Sequence, residues 1–130
     1  MNEVHRVCVR YHAAIELIGA RWTGAILRVL FTGQHRYAQI KAAVPGLSDT
    51  MLAQRLRTLE DEGLVERRVV PSSPVQVEYH LTAKGLDLEQ VIEAVMVWSH
   101  TWIPLPEEAA AGAVGGPGSG QGNSSPTAPA

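Results

Sequence analysis

Thr50, Gln54 and Arg57 offer the plainest chemistry in this chain, because their spacing of four and three residues sets them on one side of a helix. A glutamine amide can pair bidentately with adenine and an arginine guanidinium with guanine, each good pair contributing about 1–3 kcal/mol of base discrimination. Met51, Arg55 and Thr58 flank this set. Arg55 lies nearer to the stripe formed by Leu52, Leu56 and Leu59, where it also suits a pairing with Glu62 or with a phosphate. The plainer alternative for the same face is an ordinary solvated helix surface.

Other chemistries find less support. Cys8 is the sole cysteine, so no internal disulfide and no cysteine-built zinc site can form. Flanked by Arg6 and Arg10, it is a candidate redox sensor, weighed against the commoner role of a small hydrophobe. His5, His12, His35, His80 and His100 lack the spacing of a helical metal site, so no metal and no cofactor is expected. Neither a glycine-rich phosphate loop nor a nucleophile elbow occurs, and Ser48 with Asp49 reads as a helix cap, so the chain is not read as an enzyme.

The elements that must position these groups follow from periodicity and punctuation. A helix from Tyr11 stops at Gly19, and Trp22 to Thr32 is a second, mostly apolar one. Tyr37 to Val44 forms a short third helix with Tyr37, Ile40 and Val44 on one face, which favours a core role for Tyr37. Pro45 and Gly46 force a turn, Ser48 caps the fourth helix, and Gly63 ends it. Leu64 to Val70 and Val75 to Leu81 are β-prone strands, with Val75, Val77, Tyr79 and Leu81 alternating on one face. Pro71 to Pro74 makes the tip. Thr82 opens a last helix reaching about Trp102. Two helices across a tight turn, then a hairpin, predict a mainly α winged helix-turn-helix with a small β-hairpin wing.

In that frame Arg36 and Lys41 flank the third helix, while Arg67, Arg68 and Gln76 lie along the wing, suited to phosphate or minor-groove contacts. The net charge is −2, yet basic residues outnumber acidic ones between Ala20 and Gly85, and only acidic ones follow Lys84. The apolar residues of the last helix wrap beyond one stripe, which calls for a second copy to cover Val95, Trp98 and Trp102. The two tryptophans also suit the lining of a ligand pocket there. Residues 1–106 are expected to form one domain, and residues 107–130, rich in Gly, Ala, Pro and Ser, a disordered tail. No run is long and apolar enough to cross a bilayer and no signal peptide is recognised, so no membrane role and a cytoplasmic location are expected.

Ile15-Glu16-Leu17-Ile18-Gly19, Arg21-Trp22-Thr23 and Ile26-Leu27-Arg28 are followed by Pro45-Gly46-Leu47-Ser48 and Gln54-Arg55-Leu56. Leu59-Glu60-Asp61-Glu62-Gly63-Leu64-Val65, Val77-Glu78-Tyr79 and Leu81-Thr82 continue the series. In this order the chain resembles the HxlR family of bacterial winged-helix regulators, relatives of the MarR type, from about Cys8 to Trp102. The resemblance implies a homodimeric regulator, taken here as a repressor, on a palindromic double-stranded DNA operator. It also implies pairing through the first and last helices, which adds Tyr11 and Ile15 to the interface. A small-molecule or oxidant effector, the latter acting through Cys8, is implied by the same resemblance. The rival from another class is a winged helix that mediates protein contacts without DNA; salt-dependent binding to duplex DNA separates the two.

Overall fold

Leucine spacing and glycine punctuation account for most of the architecture seen in the computed structural model, which describes residues 6–106. The helices are α1 (Val9–Ile18), α2 (Thr23–Phe31), α3 (Tyr37–Ala43), α4 (Asp49–Asp61), α5 (Ala83–Leu86) and α6 (Glu89–Trp102). The strands are β1 (Val65–Val70) and β2 (Gln76–Leu81). By compactness the chain divides after Glu89, so α6 is described separately. The expected tail, residues 107–130, lies outside the described residues.

In the first unit, Ile26, Leu27 and Leu30 of α2 meet Ile40 of α3 and Leu52, Leu56 and Leu59 of α4 in a core from which water is almost wholly excluded. These are the residues whose three- and four-residue spacing puts them on one helical face, and their burial is what fixes the rotation of each helix. Val44 and Leu47 close the core beneath the α3–α4 turn. Gly46 takes a φ of 89° there, a conformation that L side chains rarely adopt. The Ser48 hydroxyl accepts from the Met51 N–H at 3.1 Å, the expected cap of α4.

The far end of α4 is satisfied by the segment that follows the wing. Lys84 Nζ donates to the Glu62 carbonyl and the Thr82 hydroxyl to the Gly63 carbonyl, each at 2.6 Å. Those carbonyls would otherwise lack partners at a helix end. Gly63 itself, at φ 78°, turns the chain into β1. The strands pair antiparallel from Val65 opposite Leu81 to Val70 opposite Gln76. Arg36 adds an isolated bridge to Glu78, which the sequence reading did not foresee.

The expected single helix from Thr82 to Trp102 is instead two. Gly85 is buried against β1: a Cβ at its position would come within 2.2 Å of the Leu64 carbonyl oxygen. Such close backbone approach seats α5 on the start of the hairpin. A tight bond from the Leu88 N–H to the Gly85 carbonyl, at 3.0 Å, then ends it before α6 begins.

Trp22 departs from expectation in its backbone. It precedes α2 with φ 76°, the one positive-φ residue other than glycine among the described residues. A bulky residue in that region is strained and is held there by its surroundings. Its own ring sits 3.6 Å from where a Gly46 Cβ would be, and the Arg21 guanidinium lies over the same ring at 5.1 Å.

In α6, Val91, Val95, Val97 and Trp98 are exposed, while Ile92, Met96 and Trp102 are half-buried. None of its residues is fully buried.

Candidate nucleic-acid interface

With Leu52, Leu56 and Leu59 inside, the opposite side of α4 faces outward, and Thr50, Gln54, Arg57 and Thr58 are all exposed there. The buried leucines thus hold the polar face outward, as the spacing alone predicts. Thr58 spends its hydroxyl on the Gln54 carbonyl at 3.2 Å, whereas no hydrogen bond engages the side chains of Gln54 or Arg57 among the described residues. Met51 and Arg55 are half-buried. Arg55 is engaged from behind: its Nε donates to the Arg21 carbonyl at 2.8 Å, so that it ties α4 to the α1–α2 corner rather than to Glu62.

Asp49 and Tyr37 lock the two helices of the helix-turn-helix together. The half-buried Tyr37 donates its hydroxyl toward the Asp49 backbone and carboxylate oxygens at 3.3 and 3.4 Å. Burial, and then the neighbouring Asp49 charge, push the phenol above its ordinary pKa, which keeps it a donor. Arg36, at the start of α3, is exposed, and Lys41 is half-buried.

The hairpin register separates the two wing arginines. Arg67 stands opposite Tyr79 and Arg68 opposite Glu78, so the pair project from opposite faces. Arg67 lines a groove of about 560 Å³ with Arg36, Tyr37, Gln76, Val77 and Tyr79. Arg68 pairs with Glu66 at 3.0 Å, both being well exposed, on the face that carries His80. An exposed pair of that kind adds little stability. Of the expected apolar stripe on β2, Tyr79 is buried, Val77 and Leu81 are half-buried, and Val75 at the tip stands 62% exposed.

A cluster that sequence spacing did not reveal joins the wing to the α2–α3 loop. The His35 and His80 rings stack with centroids 4.2 Å apart. His80 Nε2 meets the Glu78 carboxylate at 2.7 Å, and the Tyr79 N–H donates to the His35 carbonyl at 2.8 Å. That hydrogen bond to His80 is the main reason the Glu78 carboxyl is held below its ordinary range, with further help from the charges of His80, Arg36 and His35. Forty-five residues separate the two histidines in sequence, so only the hairpin's return brings them together. Among the described residues no group of three or more metal-ligating side chains converges.

Cys8 is exposed and immediately precedes α1. Tyr11 and Ile15 stand 62% and 42% exposed on that helix, which buries none of its own residues. In α6 the other expected pairing residues divide, with Val95 and Trp98 exposed and Trp102 half-buried. No helix among the described residues is long and apolar enough to cross a membrane.

A helix-turn-helix whose second helix turns a polar face outward, followed by a two-stranded wing, defines the winged-helix class of regulator. The HxlR-like helix-turn-helix family matches residues 17–107, and the chain belongs to it. It is 39% identical over 103 residues to the HTH-type transcriptional regulator YvaP of Bacillus subtilis, spanning 79% of this chain and 94% of YvaP. To the HTH-type transcriptional regulator YodB of the same organism it is 41% identical over 93 residues, spanning 72% of this chain and 83% of YodB. The crystal structure of diamide-treated YodB superimposes with a TM-score of 0.63 at 39% identity, covering 78% of this chain and all of that one. The oxidised form of the redox regulator HypR gives a TM-score of 0.69 at 28% identity, covering 74% of this chain and 99% of HypR's. The chain is accordingly a transcriptional regulator of the HxlR helix-turn-helix type and not an enzyme.

Proposed function

We propose that the protein is a homodimeric repressor that binds a palindromic operator with α4 in the major groove and the hairpin on flanking DNA. The observation that carries this reading is the disposition of α4: three leucines wholly buried, and Gln54 and Arg57 exposed with no side-chain partner among the described residues. Thr50 and Thr58 extend that face along the helix. Met51 and Arg55 border it, Arg55 acting chiefly by setting the helix in place. Arg36, Lys41, Arg67, Arg68 and Gln76 supply backbone or minor-groove contacts, which add affinity with little sequence information.

Pairing is assigned to the apolar surface of α1, with Tyr11 and Ile15, and of α6, with Val95, Trp98 and Trp102. Exposed side chains of this size on both helices support it. In a dimer the two recognition helices enter successive major grooves about 34 Å apart. Cys8, exposed at the head of α1, is assigned as an oxidant sensor, in keeping with structures of relatives described as diamide-treated and oxidised. This reading places the protein in the cytoplasm, where DNA and a reducing thiol pool coexist.

Footprinting on the DNA upstream of the protein's own gene tests the reading, with anisotropy titrations over a range of salt. A protected site with two-fold symmetry is expected, together with a steep fall of affinity as salt rises. Arg57→Ala should lower operator affinity by about tenfold and relax base preference at one position per half-site. A chain indifferent to duplex at low salt would overturn the proposal.

A further inference from the structure

A tryptophan with a left-handed backbone is costly at the corner between α1 and α2, because a bulky side chain at φ 76° crowds its own main chain. The contacts around it all lead to the recognition helix. The Trp22 ring lies 3.6 Å from the Cβ position of Gly46, in the turn that leads into α4. One residue earlier, the Arg21 carbonyl accepts from Arg55 Nε of α4 at 2.8 Å. The Arg21 guanidinium lies over the Trp22 ring, 5.1 Å from its centroid. The forced turn at Trp22 thus sets Arg21 against the flank of α4, on the side that carries Arg55.

Charge at this flank is unbalanced. Arg55 brings a second guanidinium to the corner, and neither arginine makes an ion pair among the described residues. Arg21 is exposed and Arg55 half-buried. An exposed arginine by itself needs no partner. Two arginines gathered by a strained turn, one of them restrained over an indole, form a site prepared for an anion. Stacking steadies a guanidinium and leaves its in-plane N–H donors available. With α4 in a major groove, the anion that runs along its flank is the sugar–phosphate backbone, and arginine is a common donor to it. We infer that Arg21 takes a backbone phosphate of the operator. This contact rests on the DNA-binding reading above and adds to it a residue that lies outside both the helix-turn-helix and the wing. It supplies affinity and register, with no base preference of its own.

The test uses the full chain and operator duplexes in which single phosphates are replaced by neutral methylphosphonates. Arg21→Gln should lose about fivefold in affinity on the unmodified duplex, with base preference unchanged. At one position per half-site, neutralising the phosphate should weaken the parent by about the same factor and the variant no further. The slope of log affinity against log salt should fall by about 0.9 for each half-site in Arg21→Gln. Arg21→Lys, which keeps the charge, should keep the slope. Thermal melts matching the parent establish that both variants are folded. A folded Arg21→Gln with the parent's slope, or with the parent's full set of methylphosphonate penalties, overturns the contact. So does an Arg21→Lys that behaves like Arg21→Gln, or a change of preference at one base pair, which would place Arg21 on a base edge. A parent chain that ignores duplex altogether refutes the DNA-binding reading and this contact with it, whereas a parent that binds while Arg21→Gln binds equally well refutes the contact alone.

Discussion

Arg55 and Arg21 are joined by a hydrogen bond from a side chain to a main-chain carbonyl at 2.8 Å, which anchors the recognition helix to the corner between α1 and α2. The bond forms because Arg55 sits at the border of the leucine stripe, where its stem is half-covered and its head meets the core's edge rather than open solvent. Arg55→Ala should therefore lower stability by about 1 kcal/mol, read from urea midpoints. DNA affinity should fall by a similar factor for all sequences. Arg55→Ala as stable as the parent, with an altered preference at one base pair, would place this side chain on the DNA instead.

Arg67 and Arg68 are neighbours in sequence on opposite faces of the hairpin. Arg68 already has Glu66 at 3.0 Å. Removing Arg67 should reduce the slope of log affinity against log salt by about 0.9, the loss of one phosphate contact. Arg68→Ala should change that slope by less than half as much. Equal slopes for the two variants would mean that Glu66 does not compete with phosphate for Arg68.

Gly85→Ala should destabilise the fold by about 3 kcal/mol, because the new methyl would meet the Leu64 carbonyl oxygen at 2.2 Å and backbone would have to move. Gly24→Ala is the control, since nothing lies within 4 Å of its Cβ position. Paired urea melts of the two variants check this.

Glu78 carries a pH dependence with a definite sign. Its carboxyl is held below the ordinary range by the hydrogen bond to His80 first, then by the charges of His80, Arg36 and His35. As pH falls through that range the unfolded chain takes up the proton first, so the stabilisation is full above the ordinary carboxylate pKa and is lost as pH drops through the lowered one. Glu78→Gln should be less stable than the parent near neutrality, with the gap closing as acidification carries the solution down through the lowered Glu78 pKa. A gap that stays constant with pH would show that shape, rather than charge, accounts for the difference.

Much of this molecule is legible in its sequence wherever one physical cause dominates. Leu52, Leu56 and Leu59 declare the buried face of α4, and Ser48 and Gly63 mark its ends, since side-chain period and cap chemistry are local properties. Alternation on β2 put Val75, Val77, Tyr79 and Leu81 on one face, but did not say how deeply each is covered: Tyr79 is buried and Val75 at the tip is exposed. What stayed hidden depends on contacts far apart in the chain. The stack of His35 on His80 and the bridge of Arg36 to Glu78 exist only because the hairpin folds back on the α2–α3 loop. The break between α5 and α6 was masked by a nearly continuous apolar pattern from Leu86 to Trp102, while its cause, Gly85 against Leu64, lies across the fold. Even Arg55, correctly placed beside the leucines, found a main-chain partner that no spacing rule names.

Two-residue alternation in the hairpin leaves the wing no neutral error. Were β1 to slip by a single position against β2, every side chain of β1 would change sides, and Arg68 would come to stand opposite Tyr79 while Arg67 moved on to face His80. The phenol buried under β2 therefore acts as an alignment pin, and whichever arginine the outside world meets is settled by how firmly that ring is seated.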